Sequence, residues 1–112
     1  MMHGIVAMSL KLARLRKIDI RGQYGCTDRS LIALSSNCQL LEEIRCFDCR
    51  VSEGGICFAL RRCRHLVSLT IGGGSCFPSL LPACWSFTFE NSIMYATSLR
   101  VLEINYSTYG VQ

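Results

Sequence analysis

Residues 41–65 read LEEIRCFDCRVSEGGICFALRRCRH, and their pattern decides the fold. The first half alternates: Leu41, Ile44 and Cys46, followed by Cys49, give the spacing L-x-x-L-x-L-x-x-C, which reads as a strand. The second half changes period. After a turn at Arg50 to Gly55, apolar residues fall at Ile56, Ala59, Leu60 and Cys63, the face of an amphipathic helix. Leu66 then starts the pattern again. Such a unit has a strand half and a helical half, and it cannot bury its apolar side alone. It needs copies of itself on either flank.

The copies are present. The strand half recurs as Leu15, Ile18, Ile20, as Leu66, Leu69, Ile71, and as Leu99, Leu102, Ile104, with starting leucines 26, 25 and 33 residues apart. Ten residues before the four leucines stand Ile5, Leu31, Ile56 and Phe89; three before them stand Leu12, Cys38, Cys63 and Ala96. The spacing predicts an α/β solenoid of about four repeats forming a single domain over residues 1–112. Its units are 1–14 (partial), 15–40, 41–65, 66–98 and 99–112 (partial). The extra length of the 66–98 unit falls at 75–88, where Pro78 and Pro82 interrupt the expected helix. That stretch reads as an irregular insertion, with Leu80, Leu81, Trp85 and Phe87 tucked against the repeats. The last helix is expected over Phe89–Ala96 and the last strand over Leu99–Asn105, with a fraying tail beyond. Thr27 or Asp28 is expected to cap one helix and Ser52-Glu53 the next. Gly54-Gly55 is expected to loosen the second turn, and Asn37 to help end its helix.

Half the residues are hydrophobic, enough for a core, and only 18% are charged, which suits buried strands. A net charge of +4 falls short of the dense basic stripe of a nucleic-acid binder. No run reaches the ~18 apolar residues of a membrane span. The apolar start, Gly4 to Leu10, reads better as a helix face than as a signal peptide, since no basic segment precedes it. Eight cysteines raise the question of a disulfide framework. However, Cys38 and Cys63 share a slot with Leu12 and Ala96, and Cys46 shares one with Ile20, Ile71 and Ile104. They act as small hydrophobes, and a reducing compartment, cytoplasmic or nuclear, is expected.

Alternation along each strand sends neighbouring side chains to opposite faces. If Ile44 and Cys46 face the core, then Glu43, Arg45 and Phe47 face out, as do Lys17, Asp19 and Arg21 on the strand before. Ser68, Thr70 and Gly72 follow, then Val101, Glu103 and Asn105. Stacking should set Lys17 beside Glu43 and Asp19 beside Arg45. The candidate protein-binding residues are therefore Lys17, Asp19, Arg21, Glu43, Arg45, Phe47, Ser68 and Thr70, with lesser weight on the loop from Gly72 to Phe77. Phe47 is the expected anchor, an exposed aromatic among charges.

The stretches CTDRSLIALSSNCQL, LEEIRCFDC and VSEGGICFALRRCRHLVSL resemble the cysteine-containing subfamily of leucine-rich repeats, and more narrowly plant F-box/leucine-rich-repeat proteins. The likeness is specific over Leu15 to Ile71, weak from Gly72 to Tyr95 and fair at Leu99 to Ile104. It implies a right-handed horseshoe with parallel strands inside and helices outside. It also implies a protein substrate held on the inner face or the loops, as in the substrate-recognition part of an SCF-type ubiquitin ligase. A Skp-type adaptor would be a partner only with an F-box upstream. The sequence starts in mid-unit without an F-box or a polar capping repeat, and is expected to be a fragment of such a protein.

Other chemistry finds little support. Cys46-x-x-Cys49 with Cys57 and Cys63 has the donors for a zinc site, but the repeat already accounts for Cys46 and Cys49. Gly72-Gly73-Gly74 fits neither common phosphate-loop pattern, and the sequon Asn105-Tyr106-Ser107 matters only in a secreted chain. His3 and His65 lack catalytic partners. Arg61, Arg62, Arg64 and His65 read first as charges complementing a helix C-terminus. The expectation is a binding module without enzyme activity, cofactor or metal, and with no nucleic-acid or membrane partner. The alternatives are a stand-alone structural or regulatory repeat protein, or a truncated chain without function.

Overall fold

The computed structural model describes residues 2–21, 27–48, 50–72, 87–104 and 107–109. The elements run α1 (Met2–Lys11), β1 (Lys17–Arg21), α2 (Asp28–Asn37), β2 (Glu43–Phe47), α3 (Glu53–Arg62), β3 (Ser68–Gly72), α4 (Phe87–Tyr95), β4 (Val101–Ile104) and β5 (Ser107–Tyr109). The five strands form one sheet in sequence order; β1 to β4 are parallel and β5 is antiparallel to β4. The helices touch one another in the same order, so they form a second layer alongside the sheet. The chain is thus a two-layer α/β structure with one core cluster between the layers.

The core follows the alternation. Ile44, Leu69 and Leu102 stand abreast, and so do Ile20, Cys46, Ile71 and Ile104; all seven are buried. From the helix side come Leu31 and Leu34 of α2 and Ile56, Ala59 and Leu60 of α3. Each fully buried aliphatic side chain contributes ~1.5–3 kcal/mol, and here each depends on the unit next to it. The four leucines that open the strands differ only at the first: Leu41, Leu66 and Leu99 are sealed, while Leu15 is half-buried at the flank.

The junction from helix to strand is the same object four times. Leu15, Leu41, Leu66 and Leu99 each donate their amide to the carbonyl three residues back, on Leu12, Cys38, Cys63 and Ala96, at 3.0–3.4 Å. Those four residues also close their helices: the amides of Leu12, Cys38 and Cys63 bond four residues back, and that of Ala96 three back, to Ile93. The carbonyls of Arg16, Glu42 and Val67 then each accept two amides from the following unit. A small or slim residue suits this slot because it must turn the chain and fit under the next unit. Cys38 and Cys63 are buried there and free, whereas Leu12 lies open at the flank, 43% exposed.

Capping departs from expectation in an instructive way. Thr27 is the N-cap of α2, accepting from the Arg29 amide, and Ser30 completes a capping box. Ser52 occupies the same position before α3 but makes no side-chain cap bond. Its hydroxyl donates to Asp28 Oδ2 instead, and its amide donates to Asp28 Oδ1 at 2.7 Å. The carboxylate of one unit therefore clamps the helix start of the next. Gly55, expected only to loosen the turn, is buried beneath that carboxylate; a Cβ there would stand 2.8 Å from Asp28 Cγ. Asn37 ends α2 as expected, and its amide donates to Ser9 Oγ of α1 at 3.1 Å.

Several boundaries need correction. The first strand begins at Lys17, not at Leu15, because Leu15 and Arg16 belong to the junction turn. Phe87 and Thr88 are the first residues of α4, not the end of an insertion. The expectations for Gly73–Phe77, for Ser75–Ser86, for Cys26 and Cys49 and for Asn105 lie outside the described residues. The tail was expected to fray, yet Ser107–Tyr109 pairs with Ile104–Leu102 as a short antiparallel strand. It occupies hydrogen-bonding groups that β4 would otherwise leave open. No helix of the described residues is long and apolar enough to cross a membrane.

The two glycines of α3 should behave oppositely. Alanine in place of a helical glycine ordinarily stabilises by up to ~1 kcal/mol. Gly54→Ala is expected to do so, since its Cβ meets only Ser52 Oγ at an ordinary 3.7 Å. Gly55→Ala is expected to destabilise by ~1–2 kcal/mol, the worth of a lost cap. Urea denaturation of both variants checks this; a stabilised Gly55→Ala chain would remove the clamp from the account.

Candidate functional site

The face of the sheet away from the core is an array set by the parallel register. One row holds Lys17, Glu43, Ser68 and Val101; the next holds Asp19, Arg45, Thr70 and Glu103; the third holds Arg21, Phe47 and Gly72. The expected neighbours are confirmed: Lys17 lies beside Glu43, and Asp19 beside Arg45. All eight candidate residues therefore belong to one surface.

Their exposure is uneven. Lys17, Asp19 and Arg21 are exposed, while Glu43, Arg45, Phe47 and Ser68 are half-buried. Two expectations change. Thr70 is only 9% exposed, so it is a floor residue of this face and offers little to a partner. Phe47 is not a free anchor: the guanidinium of Arg21 sits 4.6 Å from its ring centroid and that of Arg45 5.5 Å. The cations lie over the ring because its face is negative. Strand alternation finds the residues on this face but not the side chains that fold down over one another.

The charges are arranged around Asp19. Arg21 donates to both of its carboxylate oxygens, at 2.9 and 3.1 Å, in the bidentate geometry that suits a guanidinium. Arg45 approaches the same carboxylate only to 3.9 Å and Glu43 only to 4.0 Å. Its Nε is covered yet has no hydrogen-bond acceptor. Asp19 thus satisfies Arg21 and leaves the Arg45 Nε without an acceptor. Exposed pairs of this kind contribute ~0–1 kcal/mol to stability, so their arrangement bears on recognition more than on folding.

Beside this face, a groove of about 460 Å³ opens between α1 and β1, lined by Ile5, Met8, Ile18, Asp19, Ile20 and Arg21. It lies along the free edge of β1. Cys46 points into the core from the middle of β2, which takes it away from any site shared with surface ligands. Among the described residues, no three His, Cys, Asp or Glu side chains are grouped to hold a metal ion. No family model matches the chain, and no curated protein or solved structure matches it either.

The buried thiols are structural in character. Burial pushes Cys38 up from the ordinary value of 9.0. Burial also pushes Cys57 and Cys63 up, partly offset by hydrogen bonds with Ser92 and Ser35 respectively. A raised thiol is a poor nucleophile at neutral pH. It also links stability to alkaline pH. Below the unfolded value of 9.0 both states hold the proton and the stabilisation is fully present. As pH rises through that value, the unfolded chain releases protons that the folded chain retains, and stability falls. The slope is at most about 1.4 kcal/mol per pH unit for each thiol. Urea midpoints are expected to drop between neutral pH and about pH 10, and less steeply in Cys63→Ala. An equal slope in that variant would show that Cys63 ionises alike in both states.

Proposed function

We propose that this chain is a leucine-rich-repeat interaction module whose charged sheet face holds a protein substrate, in the manner of the substrate-recognition part of an SCF-type ubiquitin ligase. The four equivalent helix-to-strand junctions, stacked in register, support a right-handed solenoid of repeats. The observation that carries the binding role is the array of Asp19, Arg21, Arg45 and Phe47. A parallel sheet is ordinarily covered on both faces, yet this one carries exposed charges and an aromatic on the face away from its core. The Arg45 Nε there is a covered donor without an acceptor, and Arg21 and Phe47 supply the residue types that dominate interface energetics.

In this reading the mechanism is binding, with no bond chemistry in the chain, and its place of work is the cytoplasm or nucleus. A partner carboxylate engages Arg45 while its apolar neighbour covers the edge of Phe47. Recruitment to a ligase then presents the bound protein for ubiquitin transfer. A stand-alone repeat protein that binds the same partner without degradation is the second reading, supported by the same face.

Affinity capture from plant extract tests both. Arg21→Ser and Arg45→Ser are expected to weaken capture of the bound protein about tenfold or more, whereas Arg29→Ser, exposed on α2, leaves it unchanged. Under the ligase reading the captured protein carries polyubiquitin and accumulates when the proteasome is blocked. A protein lost from both sheet-face variants but stable in the cell would select the second reading. Capture indifferent to Arg21 and Arg45 would remove the sheet face from function.

A further inference from the structure

All four helices run into their strands at one end of the molecule, and the backbone ties that end into a continuous surface. Glu42 donates its amide to the Arg16 carbonyl, Val67 to Glu42, and Arg100 to Val67, at 2.6–2.8 Å. Arg16, Glu42, Val67 and Arg100 therefore stand in a row, with steps of roughly 4.8 Å.

Charge is concentrated on this end. Taking each junction from the last two helical residues to the first strand residue, the end holds eight of the chain's 12 Lys and Arg: four within 11–17, three within 61–64, and Arg100. Of the 8 acids it holds two, Glu42 and Glu43. The junction end carries a formal +6 and the rest of the chain −2, within a whole-chain charge of +4. Among the described residues, Arg16 is paired with Glu42 at 2.8 Å, but Lys11, Arg14, Lys17 and Arg64 are in no ion pair.

Apolar exposure is concentrated there too. Among the described residues, seven large hydrophobics are exposed, and all but Ile32 lie within the four junctions. Leu10 and Leu12 are 68% and 43% exposed beside Lys11 and Arg14; Met94 and Tyr95 are 76% and 55% exposed at the end of α4. Arg61 holds Tyr95 in place, its guanidinium 4.9 Å from the ring centroid while its Nε donates to Ser92 Oγ. An open groove of about 510 Å³ runs along residues 11 to 15. Complementing helix C-termini explains cations in the last turn. It does not explain Arg14, Lys17 and Arg64, which lie beyond the helices, or the apolar side chains between them.

We propose that this junction end is a second docking surface, adjoining the sheet face at the first residues of the strands, for an acidic amphipathic segment of a protein. Alternating acidic and apolar side chains match a surface on which cations and exposed apolar groups are interspersed. Glu42 and Glu43 favour a protein over the other polyanions. They stand in the middle of the surface, between the cations of the first and third junctions, where a phosphodiester chain or a bed of anionic lipid headgroups would place phosphates against them. A peptide sets its carboxylates over the flanking cations and leaves the centre free of charge.

The test uses the full chain and a short synthetic peptide whose two ends alternate pairs of Glu and Leu about an uncharged centre of Ser and Leu, against the same peptide with Lys for Glu. Single-stranded RNA and vesicles of phosphatidylcholine with phosphatidylserine are compared in parallel. The acidic peptide is expected to bind, more weakly as salt rises. Arg14→Glu with Arg64→Glu is expected to weaken it about tenfold or more, and Leu10→Ser with Leu12→Ser to weaken it as well. All four side chains are exposed, and an unchanged thermal midpoint verifies that each variant folds. Arg45→Ser on the sheet face is expected to leave peptide binding intact, so the two surfaces stand or fall separately. Three results would overturn the proposal: acidic and basic peptides bound alike, acidic-peptide binding indifferent to Arg14 and Arg64, or RNA or vesicles bound in preference to the acidic peptide.

Discussion

Everything in this chain rests on the carbonyls of Arg16, Glu42 and Val67, each of which accepts two amides from the following unit. A strand is buried only if it enters the sheet in register, and a slip of one residue would turn its apolar set outward. The doubly accepting carbonyl fixes that entry point before the ladder begins. Leu41, Leu66 and Leu99 are then sealed because the chain can turn in one way at the slot three residues earlier. The cysteines at that slot belong to the same junction: Cys38 and Cys63 are buried where the chain turns from helix to strand.

A second tie joins the starts of α2 and α3, at the opposite end of those helices, and it differs in kind. Asp28 sits in the first turn of α2, where an acidic residue is favourable on electrostatic grounds alone. Its carboxylate nevertheless turns to the next unit and satisfies the Ser52 amide and hydroxyl. Gly55 makes room for it. One carboxylate thus couples two helix starts, and the units are joined at both ends of their helices as well as through the sheet.

The periodicity of leucines, of the slot three residues before them and of the alternating strands was enough to place α2 and β1 to β4 to within about two residues, and to pair Lys17 with Glu43 and Asp19 with Arg45, whereas α3 begins at Glu53, inside the stretch Arg50 to Gly55 read as a turn. These features are legible because they repeat. What was illegible does not repeat. The closure of β4 by Ser107–Tyr109 is a single event driven by an open edge. The descent of Arg21 and Arg45 onto Phe47 depends on side-chain reach across strands, which alternation does not encode. The cover over Thr70 likewise has no local signal. The clamp by Asp28 had a visible trace in the recurrence of Thr27-Asp28 and Ser52-Glu53, but a pattern read within one unit points to self-capping, and the bond crosses units.

The distribution of charge carries the functional logic further than its total. A sheet face with Asp19 and Glu43 set among Lys17, Arg21 and Arg45 is close to neutral, and its order is geometric: Asp19 holds the Arg21 guanidinium at two points, the Arg45 Nε has no acceptor, and both guanidiniums rest on Phe47. In the proposed binding role, such a surface discriminates by fit and gains little from long-range attraction. The junction end is the reverse. It gathers eight cations against two acids and interleaves them with exposed apolar groups, and at physiological salt a charge cluster acts over about 8 Å. The two surfaces meet at Lys17 and Val101, the first residues of β1 and β4, so a partner drawn to the junction end lies at the threshold of the sheet face. A repeat that places its strand starts beside its helix ends cannot avoid this adjacency. Under the two proposals taken together, one end of a bound protein is captured by charge at the junction end while the rest is selected by the array of Arg21, Arg45 and Phe47.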